Sequence, residues 1–219
     1  MSATLFADRT VAEIAAALPG STAVFRKHKL DFCCGGGARL EEAAAARGAS
    51  LPALEAELGA LVMPQGGEVP ASTAELIALI QTRYHEVHRR ELPELVRLAR
   101  RVEAVHRDKA ECPHGLADLL DTMSAEMEDH MQKEEQILFP MMVRGGAPMI
   151  GHPIAIMRHE HDSHGEHLKA LGALTHGATP PEGACNTWRA LYAGIRKLED
   201  DLMQHIHLEN NVLFPRFGA

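Results

Sequence analysis

Apolar residues recur every three or four positions over most of this chain, and beyond residue 72 the rhythm persists long enough to define whole helices. Ile77, Ile80, Tyr84, Val87, Leu95, Leu98, Val102 and Val105 form one stripe, the spacing of an amphipathic helix, predicted from about Ser72 to His106. Pro93 lies inside it and is expected to kink it. A second helix is predicted from near Pro113 through Met123, Met127 and Ile137 to Pro140 or beyond. Gly145, Gly146 and Pro148 separate it from a third, roughly His152 to Leu174, and a fourth runs from about Pro181 to Leu213. Four long helices with short connections predict an up-and-down four-helix bundle, whose core is a common place for metal sites.

The first 63 residues read as shorter pieces. Thr10-Val11-Ala12-Glu13 has the form of a capping box, and Pro19-Gly20 ends the helix it opens. Ser21 starts a second short helix, and Arg39 to Arg47 make a third closed by Gly48. Ser50 and Pro52 open a fourth, reaching about Leu61. Between the second and third lies Asp31-Phe32-Cys33-Cys34-Gly35-Gly36-Gly37. The expectation is an all-α chain: a small helical domain at residues 1–63, a Pro/Gly-rich linker at 64–72 and the bundle at 73–219.

Composition agrees with helices. Hydrophobic residues make up 46% of the chain but aromatics only 4%, so Leu, Ala, Ile, Val and Met must fill the core. A net charge of -8 without any basic run argues against nucleic acid. No apolar stretch is long enough to span a membrane, and the first residues lack the basic start of a signal peptide. Four cysteines, two of them adjacent, do not make a secreted disulfide framework. The chain is expected to be cytoplasmic, with neither nucleic acid nor membrane as partner.

Candidate chemistry comes from a pattern that occurs twice. His130-Met-Gln-Lys-Glu134 followed by Leu138-Phe139-Pro140 returns as His205-Ile-His-Leu-Glu209 followed by Leu213-Phe214-Pro215, 75 residues later. His and Glu four apart share one helix face, so each copy offers an imidazole and a carboxylate to one point. His85 precedes the first copy by 45 positions and His161 precedes the second by 44. The bundle therefore reads as two helix hairpins, each giving one His from its first helix and a His/Glu pair from its second. A single helical His is ordinarily solvated or satisfied in the core. Four imidazoles and two carboxylates buried together would cost several kcal/mol, of order, unless a cation sat among them. Imidazole plus carboxylate suits iron, manganese or zinc. The zinc-protease motif H-E-x-x-H and the covalent-haem motif C-x-x-C-H are both absent. Two bridging carboxylates and four nitrogens supply about four bonds per metal, which leaves positions open as a closed structural site would not.

These residues resemble the iron-sulfur cluster repair di-iron proteins, the repair-of-iron-centres family, in which a Cys-Cys-Gly domain precedes a hemerythrin-like bundle. The resemblance covers essentially the whole chain. It implies two non-haem iron ions, oxo- or hydroxo-bridged, held by His85, His130, His161 and His205 with Glu134 and Glu209 bridging. The set has one histidine fewer than oxygen-carrying hemerythrins, which implies a more open and labile centre. The implied function is repair of iron-sulfur clusters damaged by nitrosative or oxidative stress, by donation of iron. The partners would be damaged iron-sulfur proteins or a cluster scaffold, with nitric oxide or dioxygen as small ligands. Reduction of nitric oxide as an enzyme, and reversible O2 or NO binding or sensing, are the alternatives. A homodimer is a further expectation.

Other residues are assigned around this set. Glu126, four before His130, is a candidate to hydrogen-bond a ligand or guide leaving iron, and His88 and His164 lie near the ligand face; Glu160, beside His161, resembles a family position that lines an iron exit. Glu135 is rotated about a quarter-turn from Glu134 and reads as solvated. His28, His106, His114, His152, His159, His167, His176 and His207 read as surface groups. Cys33 and Cys34, ahead of exposed backbone amides, are candidates for redox or iron-transfer chemistry. Cys112 and Cys185 have no assigned role.

Overall fold

The computed structural model describes residues 6–18, 21–32, 36–60, 70–146 and 148–218. Among them there is no strand beyond one isolated bridge between Thr10 and Arg39, so the all-α expectation holds. The chain divides into two compact units, one comprising residues 1–76 with 203–219 and the other residues 77–202.

The described residues of the first unit include the short helices α1 (Val11–Ala17), α2 (Ser21–Lys27), α3 (Leu40–Arg47) and α4 (Leu51–Ala60). The capping box is formed as expected: Glu13 N–H donates to Thr10 Oγ1 and Thr10 N–H to the Glu13 carboxylate. Gly48 closes α3 in the left-handed region, at φ 66°, where a residue without Cβ is unstrained. None of these helices would persist alone at such length. They are stable together because Val11, Ile14, Phe25, Leu30, Phe32, Leu40, Leu54 and Leu58 pack into one core, with Met203 from the last helix against it. Lys27 and His28 both reach Glu57, tying α2 to α4. Arg216 donates to the carbonyls of Pro70 and Ala71, tying the end of the chain to the start of the long helices.

The long helices are α5 (Thr73–Ile80), α6 (Glu86–His106), α7 (Leu116–Lys133), α9 (Gly151–Thr175) and α10 (Asn186–Leu208), with α8 a short piece at Phe139–Val143. Their directions can be read from side-chain pairs within residues 77–202. Arg89 meets Glu128 while Arg100 meets Asp121, so α6 and α7 are antiparallel. His130 meets Glu160 while Glu126 meets His167, so α7 and α9 are antiparallel. Glu91 meets Lys197 while His106 stacks on Trp188, so α6 and α10 are antiparallel too. These are the up-and-down relations the short connections predict. The core carries Leu92, Leu95, Leu120, Met127, Trp188, Leu191 and Ile195, each at most 5% exposed. α6 continues through Pro93 without a break.

Among the described residues, three single π-turns interrupt the helices, at Gln81–His85, Glu134–Leu138 and Glu209–Leu213. In each, an N–H bonds a carbonyl five residues back: Glu86 to Gln81, Phe139 to Glu134, and Phe214 to Glu209. The Leu-Phe-Pro ending of the repeat contributes to the second and third. Proline has no N–H for the carbonyl four residues back, and its ring needs room there, so the preceding turn widens. The first has no proline after it, yet it too contains a candidate ligand. Such widened turns concentrate at functional sites.

Candidate metal centre

In residues 77–202, four of the expected ligands lie in the core. His85, Glu134 and His161 are fully buried and His130 is 3% exposed. His130 Nε2 and His161 Nε2 face each other at 3.2 Å. Glu134 Oε2 lies 3.4 Å from His85 Nε2 and 3.5 Å from His130 Nε2. The donor atoms of His130, Glu134 and His161 all lie within 4.8 Å of one another, and Glu134 also groups with His85. These separations are long or poorly matched for direct hydrogen bonds. Donors about 2.0–2.2 Å from one ion stand about 3–3.5 Å apart, which is the spacing seen.

The orientation of the rings fits a metal as well. His85 Nδ1 is 2.7 Å from a Glu135 oxygen, and His130 Nδ1 is 2.8 Å from a Glu160 oxygen. A carboxylate accepts a hydrogen bond from the N–H it faces, which keeps the proton on Nδ1 and leaves the opposite Nε2 with a lone pair directed inward. Each carboxylate is itself held: Glu135 by Arg89, which also grips Glu128, and Glu160 by Lys133 at 2.6 Å. The His130 hydrogen bond, with Lys133 adding to it, brings the Glu160 carboxyl down to about 2. Burial pushes the Glu135 carboxyl up, but Arg89 and His85 outweigh it and hold it below its usual range. Two anions thus back two imidazoles, an arrangement that strengthens nitrogen ligands for a cation. The donor set fits iron, whose ligands here would be imidazole and carboxylate without thiolate.

The second copy of the motif lies in the other unit. His205 and Glu209 are both buried, with His205 Nε2 3.0 Å from Glu209 Oε1. As in the first copy, the carboxylate opens a π-turn.

Several sequence assignments need correction. Glu135 is not a solvated neighbour of Glu134; the widened turn and the facing α6 bring it onto His85. His207 is not a surface group. It is fully buried, donates Nδ1–H to the Phe32 carbonyl at 3.2 Å, and meets the Phe32 ring edge-on. Burial lowers its pKa, a shift that the Phe32 carbonyl opposes. His167 is half-buried and pairs with Glu126 at 3.6 Å, and His28 pairs with Glu57. His106 is covered by Trp188 and lies 3.2 Å from Cys185 Sγ, so neither is isolated. His114, His152, His159 and His176 are exposed. His88 is buried beside Tyr84, and His164 is buried edge-on to His130. Cys112 is buried, which raises its thiol pKa and makes it a poor nucleophile.

Cys33 and Cys34 lie outside the described residues. On either side the chain is closely held: a Cβ added at Gly36 would lie 2.6 Å from the Phe32 carbonyl oxygen, so only glycine fits. The partners of Glu135 and His207 could not have been found from spacing, because both lie on other segments of the chain.

Comparison with known proteins adds to this geometry. The family model described as the hemerythrin HHE cation binding domain matches residues 77–217. A second, described as a domain of unknown function (DUF542), matches residues 7–62. An iron-sulfur cluster repair protein YtfE of Pectobacterium carotovorum is 49% identical over 214 residues, covering 96% of this chain and 97% of the relative. One of Yersinia pseudotuberculosis is 50% identical with the same coverage, and one of Pectobacterium atrosepticum is 48% identical.

Proposed function

We propose a function from one premise: the chain belongs to the family of hemerythrin-like iron-sulfur cluster repair proteins. It restores damaged iron-sulfur clusters by supplying iron from a di-iron site in the bundle. The residues that would hold the iron are His85, His130, His161 and His205 with Glu134 and Glu209. The observation that carries this reading is the buried group of His85, His130, His161 and Glu134, with the ring nitrogens of His85 and His130 aimed inward by Glu135 and Glu160. The internal repeat supports adding His205 and Glu209, since both copies bury their His and Glu and both end in the same π-turn. The cation-binding domain match spans both copies.

Bound iron supplies open coordination positions and redox capacity. The residues supply the rest. Glu135 and Glu160 hold the Nδ1 protons of His85 and His130, so neither ring turns away from the ions. Arg89 and Lys133 keep those carboxylates ionised and fixed. Burial excludes bulk water from the donor atoms. A set of imidazoles and carboxylates gives iron up to thiolate-rich acceptors more readily than a cysteine site would. That favours donation to the cysteines of a damaged cluster, which is the partner this reading requires.

The test is transfer of iron to an iron-sulfur protein whose cluster has been destroyed. The iron-loaded protein is expected to restore the acceptor's cluster absorption, and Glu209→Leu is expected to lower both bound iron and the restoration. Equal restoration by the variant would remove the reading.

A further inference from the structure

The two antiparallel helices that carry most of the buried centre continue their polar stripes beyond it. On α9, His161, His164 and His167 recur every third residue, a spacing that keeps them on adjoining parts of one face. On α7 and its π-turn, Glu126, His130 and Glu134 recur every fourth. Because the helices are antiparallel, the end of one stripe meets the end of the other. The donor atoms of Glu126, His164 and His167 all lie within 4.8 Å of one another. His167 Nδ1 is 3.6 Å from Glu126 Oε2, too long for a hydrogen bond but near the spacing of two donors on one ion.

An ordinary surface ion pair would account for Glu126 and His167 alone. Such a pair, half-exposed, contributes little, and His164 adds a buried imidazole to the same group of donor atoms. The third imidazole is the informative one. His164 is 3% exposed, and its ring meets that of His130 edge-on with centroids 5.1 Å apart. From there, side-chain exposure rises to 21% at His167 and 48% at Glu126. A graded series of nitrogen and oxygen donors therefore leads from the buried centre to solvent.

We propose that Glu126, His164 and His167 form a second divalent-cation site, outside the di-iron centre and weaker than it. Two imidazoles and one carboxylate suit Fe2+ and ions of similar character. Three protein donors leave the remaining positions to water, so the ion exchanges readily. Resting on the reading of iron as cargo, the site is a station for iron moving between the centre and the surface.

The test uses the full-length, iron-loaded protein titrated with Co2+, followed by equilibrium dialysis and metal analysis, with the cobalt visible spectrum as a second readout. The wild type is expected to retain about one further Co2+ per chain, since three donors hold a single ion. His167→Ala and Glu126→Gln are expected to lose that ion while keeping their iron and the absorption of the centre. Absence of extra Co2+ in the wild type, or its retention in both variants, overturns the site. Release of iron to a colorimetric chelator is expected to slow several-fold in His167→Ala. An unchanged rate with the extra Co2+ lost overturns the transit role but not the site. If the wild type holds the extra Co2+ yet restores no clusters, the repair reading fails and the site stands.

Discussion

At the residue scale, the candidate centre depends on side chains outside the proposed ligand set. Glu160 accepts from His130 Nδ1 and is held by Lys133, as Glu135 accepts from His85 and is held by Arg89. Glu160→Ala is expected to weaken iron binding about 10- to 100-fold, the usual cost of losing such an outer partner. Competition with a chelator measures it, and Glu160→Gln, which keeps an acceptor oxygen, should recover part of the loss; unchanged affinity in the alanine variant would mean the ring needs no anchor. The sequence placed Glu160 beside His161, but not on His130, which lies on another helix. Nor was the role of Glu135 legible. Its angular offset from Glu134 suggested solvent, and only the facing helix puts His85 and Arg89 there. His207 was misread for a similar reason: the segment that buries it lies 175 residues away.

At the scale of elements, periodicity identified the long helices, but not how their ends are built. Each His/Glu copy ends in a widened turn that begins at its carboxylate. Apolar spacing records one face of a helix and does not register a single extra residue in a turn. The Leu-Phe-Pro ending was the available sign. Polar pairs between helices were likewise invisible, yet they fix direction. Arg83 from the first π-turn reaches Asp201 on α10 at 2.6 Å, and Lys197 reaches the same carboxylate at 2.8 Å. Burial pushes the Asp201 carboxyl up, but these two cations outweigh it and hold it below its usual range. A carboxylate whose folded pKa is depressed contributes stability that is full above its unfolded value, about 3.9. That contribution is lost as pH falls through the lower folded value. Asp201→Asn is therefore expected to cost about 1 kcal/mol at neutral pH, allowing for solvent around Arg83. In denaturant titrations the gap should close below about pH 4; a gap that persists in acid would point to packing instead of charge.

At the scale of the whole molecule, burying imidazoles and carboxylates links folding to metal. A ligand that binds only the folded state stabilises it by about 4 kcal/mol when present at a thousand times its dissociation constant. Stripping the iron with a chelator is thus expected to lower the thermal midpoint clearly, and returning iron should restore it. Equal midpoints with and without metal would show that the buried donors satisfy one another. Taken alone, the sequence determined an all-helical chain and the paired His/Glu motifs that could hold a metal, because helix periodicity and His/Glu spacing are local properties. The tertiary structure decided which carboxylate backs which imidazole, that His207 is buried, and that Glu126 meets His164 and His167. Those pairings depend on the direction and rotation of neighbouring helices, which are set by how side chains pack between segments distant in the chain.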